Sequence, residues 1–149
     1  INKKHSGHKR RDALTRNARR STEKGHWHCD IMVLSGKTEF KNCLVMVDQR
    51  SRYTQLVFTS ETFNAPIAIE LFEMAMQEMK KENHYIKTMR WDGEGAIWGT
   101  IFDKWSKKNN IQRIRSASGE QNLAEMKIKV LRQRAQKMCE EARMLPAPK

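Results

Sequence analysis

The sequence predicts an α/β fold, a five-stranded mixed sheet in which three antiparallel strands are followed by alternating helices and strands, with helices flanking the sheet. Two observations carry this expectation. Between residues 26 and 58 three strand-length segments rich in β-branched and aromatic residues are joined by connections that suit an antiparallel meander. From Pro66 onward the apolar period lengthens to helical spacing, and helix-like and strand-like segments then alternate to the end of the chain. At 149 residues the chain is long enough to bury one core and too short for a second complete domain.

The first strand is expected at His26–Val33, after Gly25 and before the Ser35-Gly36 break. Phe40 to Asp48 forms a second, richer in Val and Leu, and the polar turn Gln49-Arg50-Ser51 leads to a third at Tyr53–Phe58. Ala68, Phe72, Ala75, Met76 and Met79 then recur on one helical face. Asn64 suits the cap, Pro66 the first turn and Lys80-Lys81 the C-terminal end. A fourth strand is expected over Tyr85–Trp91 and a second helix over 98–108, through Ile101, Phe102 and Trp105. A short fifth strand follows at Ile111–Ile114. In the last helix Ala124, Ile128, Leu131, Ala135, Met138 and Ala142 alternate steps of four and three until Pro146 and Pro148 forbid continuation. That seam suits packing on the chain's own sheet better than a coiled coil, because it spans under three heptads and two of its alanines are weak knobs.

The net charge of +12 is uneven. Residues 1–25 carry nine Lys/Arg against two acids and few large apolar side chains, so this arm cannot pack a core and suits a polyanion. Lys9, Arg10, Arg11, Arg19 and Arg20 are its candidate nucleic-acid contacts. With no apolar run near membrane-spanning length and no aromatic anchor in the arm, a membrane partner is not expected. Cys29, Cys43 and Cys139 are far apart and never form a C-x-x-C pair, which argues against a disulfide framework and a cysteine-zinc site and fits a reducing compartment. A chain that starts at Ile1 rather than Met reads as a fragment of something longer.

Three acids stand out by position. Asp30 lies within the first strand, Asp92 ends the fourth, and Glu125 opens the last helix. Two divalent ions roughly 3.5–4 Å apart need carboxylates converging from different elements, and these three would supply them. The competing reading is three ordinary surface acids among seventeen Asp/Glu. Lys129 and Arg132 lie four and seven residues after Glu125 on the same helical face, where they could grip a phosphate or form only a solvated basic face. His28, two residues from Asp30 and on the same side of a strand, suits hydrogen bonding beside the site more than metal binding. Trp91 and Trp98 flank the second aspartate, as core residues or as stacking surfaces for a base.

Five segments in order carry a family resemblance: His28-Cys29-Asp30, Val47-Asp48-Gln49-Arg50-Ser51-Arg52-Tyr53-Thr54, Ile86 through Gly95, Asn110-Ile111, and Gln121-Asn122-Leu123-Ala124-Glu125. Together they resemble the catalytic core of copia-type (Pseudoviridae-like) LTR retrotransposon integrases, within the retroviral integrase and DDE transposase superfamily. The resemblance covers roughly residues 26–145 and implies a ribonuclease H-like fold. Residues 1–25 are then a basic arm or linker and 146–149 the start of a C-terminal linker.

That family implies a polynucleotidyl transferase with endonuclease activity that trims the 3′ ends of element DNA and joins them to target DNA. Asp30, Asp92 and Glu125 would be the catalytic and metal-holding triad for two Mg²⁺ or Mn²⁺ ions, Asp30 bridging both. It further implies DNA contacts at Lys129, Arg132 and Gln121, double-stranded DNA partners (element ends and target), a homo-oligomer, a chromatin or host tether, and a nuclear location after a cytoplasmic particle stage. His5 and His8 stand where the family's zinc module would be ending, but no cysteine accompanies them and nearby Lys and Arg would repel a cation.

Departures from the family pattern are equally plain. Asp92 and Glu125 are separated by 32 residues, fewer than usual, and the shortfall lies in Ser116-Ala117-Ser118-Gly119-Glu120, the active-site loop. Glu94 and Ala96 replace the usual Gly and Glu. A domesticated or inactive relative that binds DNA or protein is therefore the alternative, with a ribonuclease H-like nuclease behind it.

Overall fold

The computed structural model describes residues 23–36, 38–92, 95–117 and 119–144. Five strands, β1 (His26–Val33), β2 (Asn42–Asp48), β3 (Thr54–Thr59), β4 (Thr88–Trp91) and β5 (Gln112–Arg115), form one sheet in the order β3-β2-β1-β4-β5. β1, β2 and β3 pair antiparallel, whereas β4 joins β1, and β5 joins β4, in parallel. The helices are α1 (Ala65–Lys81), α2 (Thr100–Lys108), preceded by a 3-10 turn at Ala96–Trp98, and α3 (Leu123–Met144). This is the mixed five-stranded, ribonuclease H-like architecture expected from the sequence.

Alternation along β2 shows how the sheet is covered. Leu44 and Met46 enter the larger core under α1 and α2, with Trp27, Cys29, Phe72, Met89 and Phe102, while Cys43, Val45 and Val47 enter the smaller core under α3, with Met32, Ala124 and Ile128. Both faces are buried, so the strand reads as an unbroken apolar run. In β1 the same period puts Trp27, Cys29 and Ile31 toward α1 and α2 and leaves His28, Asp30 and Met32 on the α3 face.

α1 starts where its cap chemistry requires: Asn64 accepts a hydrogen bond from the Ile67 N–H at 3.0 Å, Pro66 occupies the first turn, and Lys80 and Lys81 sit in the last. β2 and β3 begin two and one residues later than expected, and other elements differ further. β4 begins only at Thr88, because the Lys87 and Thr88 N–H groups both donate to Gly25 O and the Trp27 indole donates to Tyr85 O, holding residues 85–87 outside the ladder. Gly99 splits the second helix, so Ile97 in the 3-10 turn is buried while Ile101 is 57% exposed. β5 is shifted one residue later, with Ile111 buried just before it. In α3 only the first turns pack on the sheet. Ala124 and Ile128 are buried and Leu131 is half-buried, whereas Ala135 and Ala142 are exposed and Met138 is 68% exposed.

Candidate active site

β1, β4 and α3 bring the three acids to one side of the sheet. Parallel pairing of Cys29 with Trp91 is the last rung between β1 and β4, so Asp30 and Asp92 follow it at the carboxyl end of β4, and the first turn of α3, which packs on β1, carries Glu125. Asp30 is half-buried; Asp92 and Glu125 are exposed. Burial pushes the Asp30 carboxyl above its ordinary range, the Ile31 N–H at 2.8 Å opposes the shift, and the Glu125 and Asp92 carboxylates raise it further, against a lowering by Arg132. Asp30 therefore sits in the field of both other acids. Among the described residues, however, no three His, Cys, Asp or Glu side chains converge into a ready-made metal cage. The donor set fits a hard divalent cation: all oxygen, negatively charged, and with one member desolvated next to the other two.

Glu125 is positioned by two side chains, His28 and Asn122, of which only the first stands out in the sequence. Asn122 is 1% exposed; its Oδ1 accepts from the Ala124 and Glu125 N–H groups at 2.8 and 3.2 Å, capping α3, and its Nδ2 donates to Cys29 O at 3.3 Å. His28 Nδ1 accepts from the Leu123 N–H at 3.1 Å, and Nε2 lies 3.4 Å from Gln49 Oε1. An Nδ1 that accepts leaves the proton on Nε2, and burial accordingly lowers the His28 pKa to about 4. The two contacts hold β1 at Cys29 and His28, so the start of α3 is clamped to the strand that carries Asp30. The expectation that His28 works by hydrogen bonding beside the site matches this geometry.

Lys129 and Arg132 are exposed and line, with Glu125, Gln133 and Gln136, a cavity of about 500 Å³ on one flank of α3. Arg132 also donates to Val33 O at 3.3 Å, at the end of β1. Gln121 lies elsewhere, in a second cavity on the opposite flank of α3 with Arg52, Thr54 and Lys127. Trp91 is core, stacked on Phe63 and packed on Phe72. Trp98 is half-buried and lies under two guanidinium groups, Arg115 at 4.4 Å and Arg113 at 5.5 Å from its ring. Lys9, Arg10, Arg11, Arg19 and Arg20, and the His5/His8 pair, lie outside the described residues.

The profile of the integrase core domain matches residues 20–121, about two thirds of the sequence, taking in Asp30 and Asp92 and stopping short of Glu125. The chain belongs to the integrase core domain family. No curated protein matches the sequence. Among solved structures, this integrase core is similar to a chain of the simian T-cell lymphotropic virus intasome in complex with PP2A regulatory subunit B56 gamma, at TM-score 0.67 and 16% identity, over 83% of this chain and 44% of that one. It spans under half the length of that chain. It is also similar to the HTLV-2 integrase catalytic core domain in complex with magnesium, in a dimeric form (TM-score 0.63, 16% identity, 85% of this chain and 79% of that one) and a trimeric form (0.61, 17%, 85% and 78%). At these identities the likeness is one of fold. No helix among the described residues is long and apolar enough to cross a membrane.

Proposed function

We propose that this chain is the catalytic core of a copia-type retroelement integrase, a polynucleotidyl transferase that trims the 3′ ends of element DNA and joins them to target DNA. What supports this reading is an integrase core in which the half-buried Asp30 carboxyl lies in the field of Asp92 and Glu125. Asp30, Asp92 and Glu125 would hold two Mg²⁺ or Mn²⁺ ions. When bound, such ions supply activation of the attacking hydroxyl and neutralisation of charge at the departing oxygen.

The rest falls to the chain's own residues. Lys129 and Arg132 bind phosphate beside Glu125, and Asn122 and His28 hold the start of α3 in place. Water, or later the freed 3′-hydroxyl, attacks phosphorus in line; the bond to the leaving 3′-oxygen breaks, and no covalent enzyme intermediate forms. Residues 26–145 form the core in this reading, 1–25 a basic arm on DNA and 146–149 the start of a linker. The protein acts as a homo-oligomer in the nucleus, with a chromatin or host tether, after a cytoplasmic particle stage.

Strand-transfer assays with blunt and pre-trimmed DNA ends test the proposal. Products that require Mg²⁺ or Mn²⁺ and vanish in Asp92→Asn are expected; products that survive the substitution would refute the mechanism. A second reading, an inactive relative that only binds DNA or protein, is favoured by the 32-residue spacing from Asp92 to Glu125. It predicts DNA binding indifferent to metal and to the triad.

A further inference from the structure

The turn between β2 and β3, prominent in the sequence as Asp48 through Tyr53, takes no part in the chemistry above, yet it is built to hold one side chain. Asp48 is 1% exposed, and its Oδ2 accepts from the Ser51 N–H at 3.1 Å and the Ser51 hydroxyl at 2.5 Å. The Arg52 N–H donates to Asp48 O at 2.9 Å, and Thr54 Oγ1 donates to Arg52 O at 3.3 Å. Tyr53 stacks on His84, with ring centroids 4.4 Å apart. Arg52 itself is left-handed, with φ of 65°, a conformation that a long L side chain adopts at a cost and keeps only where its surroundings enforce it.

What this arrangement achieves is placement. Arg52 and Thr54 line a cavity of about 430 Å³ together with Gln121 and Lys127, over the apolar side chains of Val47 and Val130. Arg52 and Lys127 are half-buried, and among the described residues no acid lines the space. Two cations with an amide and a hydroxyl beside them make an anion site, and a guanidinium suits a phosphate oxygen pair. Across α3 lies the cavity with Glu125, Lys129 and Arg132.

We propose that Arg52 and Lys127 form a second phosphate-binding site, which takes a backbone phosphodiester of nucleic acid on the flank of α3 away from the acids. This rests on the reading that the chain works on DNA, and it adds that the strand is held on both flanks of α3. The integrase-core family and the net charge of +12 together favour nucleic acid as the occupant.

Salt titrations of binding to a short DNA duplex, read by fluorescence anisotropy with the full chain, test this. The variants are Arg52→Asn, since Asn tolerates the left-handed backbone, and Lys127→Gln, a good helix former. Each is expected to weaken binding and to lower the slope of log affinity against log salt by about 0.9. Unchanged affinity and slope in both variants would overturn the site, and so would a loss of binding to polyglutamate with none to the duplex. If Arg52→Asn fails to fold by circular dichroism, Lys127→Gln decides alone. A parallel Lys129→Gln/Arg132→Gln variant separates the two ideas. If binding falls there and not at Arg52 and Lys127, only the second site fails; if it falls at Arg52 and Lys127 and not there, the active-site reading fails and the second site stands.

Discussion

Asp30 pays for its position in stability. Its carboxyl is pushed up by burial and by two neighbouring carboxylates, so the folded chain holds that proton more tightly than the unfolded chain does. Ionisation of Asp30 at neutral pH therefore opposes folding. Asp30→Asn, whose amide oxygen can still accept from Ile31 N–H, is expected to raise the melting temperature at pH 7 while abolishing strand transfer; an unchanged or lower melting temperature would count against this. His28 works with the opposite sign. Its pKa falls from 6.5 to about 4, so between those values the unfolded chain binds a proton that the folded chain refuses. Its contribution is complete above pH 6.5 and is lost as pH falls through the window, by about 1.4 kcal/mol per unit. Denaturation series at pH 7 and pH 5 should show this loss in the wild type and not in His28→Gln.

At the scale of elements, α3 divides into an anchored half and an outlying half. The cap at Asn122 and the contact from His28 fix its start, and burial ends near Leu131. Asn122→Ala is expected to cost about 1–2 kcal/mol in chemical denaturation, and Asn122→Asp should recover the capping part. Amide hydrogen exchange should find strong protection over 123–131 and weak protection beyond Arg132, where seam residues face solvent; uniform protection to Met138 would contradict this. These elements also show what is legible in sequence. The run in β2, the period in α1 and the order of strands are local signals, and each survives in the structure. The α3 clamp is not local: Asn122 and His28 meet partners 93 and 95 residues away, which no spacing rule reports. The break at Gly99 and the exposure of Ile101 depend on Ile97 filling the core from the preceding turn. The left-handed backbone at Arg52 was unreadable because nothing about an arginine signals a positive φ.

For the whole molecule, charge and topology point to one partner. The acids of the candidate site come from β1, the residue after β4 and the first turn of α3, and the chain as a whole is basic, with pI near 9.9 and much of its excess charge in residues 1–25. Removing residues 1–25, which hold nine Lys/Arg, is expected to flatten the salt dependence of DNA binding measured by anisotropy; an unchanged slope would exclude the arm as a contact. What the sequence showed of the candidate triad was the placement of its members at a strand centre, just past a strand end and at a helix start. The most direct test of the account is calorimetric titration of Mg²⁺ and Mn²⁺ into wild type and Asp92→Asn, each with and without a short DNA duplex. Metal binding that disappears in the variant is the predicted result; equal heats in both proteins, or no binding under any condition, would contradict a metal-dependent integrase site at Asp30, Asp92 and Glu125.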